Sequence, residues 1–279
     1  MSTFSRLIKF VASEDNKIYF ADAGVSDTIE AGNKFDGYPS IEALDLKSGG
    51  RKVSVSQLLA PTPTESNPIY CVGLNFAPHV KEAGMTVPLA PPIWLKPARA
   101  WANPGETIPF SKWTAENFPD YEAWQTNDFR SGEARDVSVA DANDYILGYT
   151  IGNDLTARVH QDPPRSGWQF GYSKGFDKFA PIGPYLVPPS KFSIKESSVQ
   201  TRINGALRQN SPLDLIFGPQ DVLSFISQST TIPAGTAIMT GTPGGVGWFA
   251  KPQVSLKDGD EMEVTITGLG VLKNKVKFV

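Results

Sequence analysis

Apolar residues along this chain come in short runs broken by turn formers. Leu7–Ala12, Lys17–Ala21, Ile69–Gly73, Ile93–Lys96, Ile146–Asp154 and Ala237–Thr240 read as strands of four to nine residues. Asn204-Gly205 carries the signature of a two-residue hairpin turn, because both positions tolerate positive φ. Helical signals are fewer. Ser138 is placed to cap a segment reaching Tyr145, and Pro219 opens Gln220–Ser227, with apolar Val222, Leu223, Phe225 and Ile226. With 25 glycines and 23 prolines among 279 residues, the chain suits a tightly turning, mainly β or α+β architecture better than a parallel sheet covered by helices. No internal repeat interrupts it.

A Pro-, Thr- and Ser-rich connector at Ala60–Pro68 divides the pattern. Residues 1–65 are expected to form a small β-rich accessory unit and residues 66–279 the main domain. Composition narrows the function classes. The formal net charge is −3 with both signs interspersed, so no positive field exists to attract nucleic acid. Cys71 is the single cysteine, which excludes an intrachain disulfide and a thiolate metal cluster and suits a reducing compartment. Leu7–Ala12 is too brief, and too interrupted by Lys9, for a signal-peptide core, and no apolar run approaches the roughly 18 residues of a membrane span. A soluble, cytoplasmic protein with no membrane partner is expected.

Candidate chemistry begins with the two histidines. His79 lies three residues before Glu82, and a helical turn after Pro78 would put both on one face, where the carboxylate can fix the imidazole tautomer. On spacing alone, an exposed helical pair worth a few tenths of a kcal/mol is the favoured reading. Asp120, Glu122 and Asp154 offer hard oxygen ligands for Mg²⁺ or Mn²⁺, although acidic residues at loop ends are commonly solvated caps. Lys174, between aromatics and glycines, can neutralise an enolate or carboxylate if buried. Thr240-Gly241-Thr242-Pro243-Gly244-Gly245-Val246-Gly247 offers N–H groups and hydroxyls to an anion, but lacks the Lys and Ser/Thr ending of a P-loop.

Seven blocks in one order resemble the fumarylacetoacetate hydrolase superfamily over about residues 66–279: Tyr70–Phe76, His79–Gly84, Leu95-Lys96-Pro97, Asp120-Tyr121-Glu122, Gly148–Asp154, Ser173–Pro181 and Thr240–Pro243. The resemblance implies a mixed β-roll, a homodimer, and an enzyme acting on a small 2-oxo acid or related enol. It also implies roles: His79 and Glu82 as a water-activating dyad on a lid, and Lys174 as the cation facing developing negative charge. Thr242 would meet the substrate carboxylate, with Arg158 and Gln161 near the substrate, although Val159 stands where the family has an aspartate. Hydrolysis of a C–C bond in an acylpyruvate, or decarboxylation of a 2-oxo acid, is the activity that pattern implies. An isomerase, tautomerase or cyclase is the alternative.

The metal pattern departs from the family. Its members carry Glu-x-Glu and a following aspartate around a divalent ion, and here Glu122 and Asp154 match while Trp124 replaces the middle carboxylate. Indole offers only an N–H donor and ligates no metal. Three outcomes are open at this level: a weakened Mg²⁺ or Mn²⁺ site completed by water, a β-bulge that brings Gln125 inward as a neutral ligand, or loss of the metal with Trp124 as an aromatic wall of the substrate pocket.

Overall fold

A long sheet carries the site, and its two central strands explain why. Ile146–Asn153 and Ala180–Val187 are buried at every position in the computed structural model, which describes residues 3–26, 28–129 and 132–279. Their near-continuous apolar sequences suit strands covered on both faces. Among the described residues this sheet has eleven strands, nine of them on one path. From one edge the path is Lys34–Gly37, Arg51–Leu59, Leu7–Ala12, Ala180–Val187, Ile146–Asn153, Ala123–Phe129, Ala237–Met239, Ile69–Val72 and Ile93–Lys96. Ile18–Asp22 pairs with Leu7–Ala12, and Trp101–Ala102 runs parallel beside Ala180–Val187. The N-terminal strands join the rest through the pairing of Leu7 with Leu186.

A second sheet of five strands packs against the first in the order Ala206–Pro212, Ser198–Ile203, Glu261–Ile266, Gly270–Phe278 and Thr107–Phe110. Ser198–Ile203 and Glu261–Ile266 alternate buried and half-buried residues, as strands with one covered face do. Val199, Val264, Ile266 and Leu272 meet Tyr149, Ile151 and Tyr185 between the sheets. The hairpin forms where Asn204-Gly205 predicts it, with φ of 49° and 77°. None of the helices among the described residues is long and apolar enough to cross a membrane.

Two helical expectations need correction. Ser138 does accept a hydrogen bond from the Asp141 N–H, yet only a 3₁₀ turn, Ala142–Tyr145, follows. Asp141, Asn143 and Asp144 favour local side-chain bonding over helix propagation. The helix Pro219–Ile226 forms, but Phe225 is 47% exposed while Val222, Leu223 and Ile226 face the core.

Candidate active site

The short helix Ala77–Glu82, with Pro78 in its first turn, turns His79 and Glu82 to the same side. Nδ1 of His79 lies 2.7 Å from Oε1 of Glu82, and the ring is nearly buried, edge-on to Phe249. Glu82 is itself anchored, because its Oε2 accepts the Gly245 N–H at 2.9 Å. Gly245 has a φ of +100°, and a Cβ there would collide with the carbonyl oxygen of Arg208, so glycine is required for this approach.

Two buried amides hold Thr240, Thr242 and Pro243 of that glycine-rich loop. Asn75 donates to the Thr240 carbonyl at 2.6 Å and to the Phe217 carbonyl at 2.9 Å. Gln209 donates to Thr242 Oγ1 at 2.8 Å and to the Pro243 carbonyl at 3.0 Å, while its oxygen accepts from Thr201 Oγ1 and the Ala123 N–H. With its oxygen accepting from Gln209, Thr242 has its own proton to offer a ligand.

Three cations and three carboxylates form a buried cluster that meets this loop at Gly247. Arg158 donates through Nε to Asp120 at 2.7 Å and through Nη1 to Gln161 at 2.9 Å, and its Nη2 lies 2.6 Å from Glu122 Oε1. Lys174 Nζ sits 2.7 Å from Asp154 Oδ2, 2.8 Å from Thr156 Oγ1 and 3.1 Å from Glu122 Oε2. Lys96 Nζ makes a 2.5 Å ion-pair contact with Asp154 Oδ1 and donates to the carbonyls of Phe179 and Leu155. Asp120 completes its shell with the N–H groups of Tyr121, Gly247 and Trp248. All six side chains are at most 6% exposed.

Buried charges survive only when paired in this way. Burial alone would raise the Glu122 pKa, but Lys174 and Arg158 outweigh it and hold the carboxyl at about 2. For Arg158 burial acts to lower the pKa, and Glu122 and Asp120 more than reverse it. In Lys96 burial dominates, and its pKa lies below the ordinary lysine value despite Asp154.

Trp124 occupies the position that the two-residue spacing predicts. Its Nε1 donates to Glu122 Oε2 at 3.1 Å, and the side chain is fully buried. The ladder between Ala123–Phe129 and Ile146–Asn153 keeps register from Ala123 to Asp128 and shifts only between Asp128 and Phe129, so no bulge reverses the alternation at residue 125. The side chain of Gln125 lies outside the described residues.

The donor set does not fit the divalent ion that the resemblance implies. Glu122 and Asp154 point their four oxygens at Arg158, Lys174, Lys96 and the Trp124 indole N–H. Among the described residues no group of three or more His, Cys, Asp or Glu side chains is arranged to hold a metal. Mg²⁺ or Mn²⁺ would have to displace ammonium groups from the carboxylates it needs.

His79, Glu122, Trp124, Arg158, Gln161, Lys174 and Thr242 all line one pocket, which encloses about 530 Å³ of empty space counting its open mouth. Glu82 and Asp154 stand behind that wall. Trp94, Trp124, Phe170 and Phe249 supply aromatic surface, with Trp94 edge-on to Trp124 at 5.8 Å and to Phe170 at 5.9 Å. His160 is not part of the wall and stacks on Trp113 instead. Sequence reasoning gave no role to Lys96, Gln209, Trp94, Phe170 or Phe249. A lysine ending the otherwise apolar Ile93–Lys96 was a usable signal for the first, since an unpaired lysine rarely sits in such a strand.

Comparison with known proteins agrees with this architecture. Residues 68–277 match the family model described as fumarylacetoacetate (FAA) hydrolase C-terminal. The chain is 34% identical over 293 residues to the caffeoylpyruvate hydrolase of Neonothopanus nambi, covering 99% of this chain and 94% of that one. It is 34% identical over 220 residues to a mitochondrial oxaloacetate tautomerase of Rattus norvegicus, covering 78% and 68%. Among solved structures, the 2-hydroxyhepta-2,4-diene-1,7-dioate isomerase of Mycobacterium marinum superposes with a TM-score of 0.77 at 28% identity, over 98% of each chain. With three-quarters of its length matched and the mixed β fold shared, the chain belongs to the fumarylacetoacetate hydrolase family.

Proposed function

We propose that this protein is an acid–base enzyme that moves a proton at the carbon beside a carbonyl, as a tautomerase or isomerase does. Its substrate would be an enolisable 2-oxo compound with an apolar or aromatic body. The observation carrying this reading is the contrast within the pocket: the carboxylates of the family metal pattern are consumed by internal ion pairs, whereas His79 keeps one ring nitrogen for substrate. With Nδ1 held by Glu82, Nε2 is the nitrogen able to take a proton from carbon and return it. Thr242 and the Gln161 amide group are the polar groups for the substrate's oxygens, since the Gln161 carbonyl is already engaged by Arg158. Lys174 and Arg158 provide fixed positive charge beside the forming enolate, and such preorganised charge stabilises a transition state without reorienting during reaction. The four aromatic side chains accommodate the apolar body.

Hydrolysis of a C–C bond is the second reading. The near full-length similarity to a caffeoylpyruvate hydrolase favours it, as do the aromatic walls, and the same dyad would then activate water. Oxaloacetate, acetylpyruvate and benzoylpyruvate incubated in chelator separate the two, with keto–enol exchange followed by NMR and pyruvate or oxalate release followed enzymatically. Accelerated exchange without cleavage supports the first reading, and cleavage at a rate matching or exceeding exchange replaces it with the second. The aromatic substrate should outperform the others in either case.

A further inference from the structure

We infer that the Lys174 ammonium is the resident cation of this centre, standing between Glu122 and Asp154 where the family pattern places a divalent ion. Four observations converge. Its three N–H donors meet three acceptors, Asp154 Oδ2, Thr156 Oγ1 and Glu122 Oε2, within 3.1 Å, so it bridges both remaining carboxylates with no donor to spare. Its Nζ also lies 5.0 Å from the Trp94 ring centroid and 5.9 Å from that of Trp124, so the residue replacing the missing carboxylate helps enclose the cation. The outer oxygens, Glu122 Oε1 and Asp154 Oδ1, belong to Arg158 and Lys96. Finally, Lys96, Lys174 and Arg158 balance Asp120, Glu122 and Asp154 charge for charge. A divalent ion added there would have to overcome two nearby ammonium groups in a poorly solvated site.

With tryptophan in place of the glutamate, two carboxylates of the pattern remain, and the Lys174 ammonium contacts both. Restoring the glutamate alone leaves the ammonium in place.

This inference rests on the same reading of the pocket as the proposed function, but its test uses no substrate, so either can fail alone. The purified protein is titrated with Mn²⁺, following free ion by electron paramagnetic resonance and unfolding temperature with Mn²⁺ or chelator. Wild type should show no saturable site up to roughly 1 mM and no thermal shift in either direction. Trp124→Glu, checked for folding by circular dichroism, should gain no more than about threefold in affinity. Trp124→Glu combined with Lys174→Met should gain at least about 100-fold and become thermally dependent on Mn²⁺. Stoichiometric micromolar binding by wild type overturns the inference, as does Trp124→Glu alone binding as tightly as the double variant. If the double variant does not fold, a gain of about 100-fold by Trp124→Glu alone overturns the inference, and a gain within about threefold supports it.

Discussion

The pocket has two walls built on opposite principles. Behind the substrate space, Lys96, Lys174 and Arg158 interlock with Asp120, Glu122 and Asp154, and the ammonium groups spend every donor on protein acceptors. In front, His79, Thr242 and Gln161 line the pocket, and each has a side-chain partner that fixes its orientation and leaves a further donor or acceptor site on the same group. A saturated cluster supplies a constant field and rigidity, because any rearrangement would leave a buried charge unpaired. Groups with a spare valence exchange protons. The number of ionisable residues therefore says less about where reaction occurs than whether each has capacity left after folding.

Substitutions in the two walls should separate stability from turnover. The largest effect belongs to the rear wall: Lys96→Met leaves Asp154 with one cation fewer and should cost about 3–5 kcal/mol of stability, as breaking a buried ion pair does. Chemical denaturation measures this directly, and a loss below about 1 kcal/mol would show that the cluster repacks or hydrates easily. Glu82→Gln, in the front wall, should lower turnover by about 10²-fold, since it removes the charge that orients and supports His79. Its unfolding temperature should stay close to wild type, and an equally large thermal loss would assign Glu82 to the scaffold.

A smaller effect concerns acid. The Glu122 pKa falls from 4.5 to about 2 on folding, so the unfolded chain binds this proton more readily and the ionised carboxylate contributes stability above about pH 4.5. That contribution is lost as pH falls from there towards 2. Glu122→Gln should accordingly flatten the stability profile between those values, and an unchanged slope would mean that other carboxylates govern acid unfolding.

Much of the arrangement was legible in the chain. Ile93–Lys96 and Leu7–Ala12 form with the predicted ends, and the His-x-x-Glu spacing on a helical turn gives the 2.7 Å contact. The two-residue step from Glu122 to Trp124 likewise put the indole beside the carboxylate. What sequence could not give was long-range partnership. Lys96 meets the Leu155 and Phe179 carbonyls across 59 and 83 residues, and Gln209 reaches Thr242 from a largely exposed hairpin strand with no local sign of its role. Ser138 failed as a helix signal because a cap fixes one end only, and Asp141, Asn143 and Asp144 beyond it do not propagate a helix.

The central claim is that the front wall performs proton transfer and the rear wall holds a fixed charge for it. Deuterium incorporation from D₂O at the carbon beside the carbonyl of benzoylpyruvate, measured in chelator for wild type and His79→Ala, tests it most directly. Wild type should accelerate exchange well above buffer, and His79→Ala should lose roughly 10²-fold or more while remaining folded with an unchanged rear cluster. Equal exchange by both proteins, or exchange by wild type only after Mn²⁺ is supplied, would contradict the account.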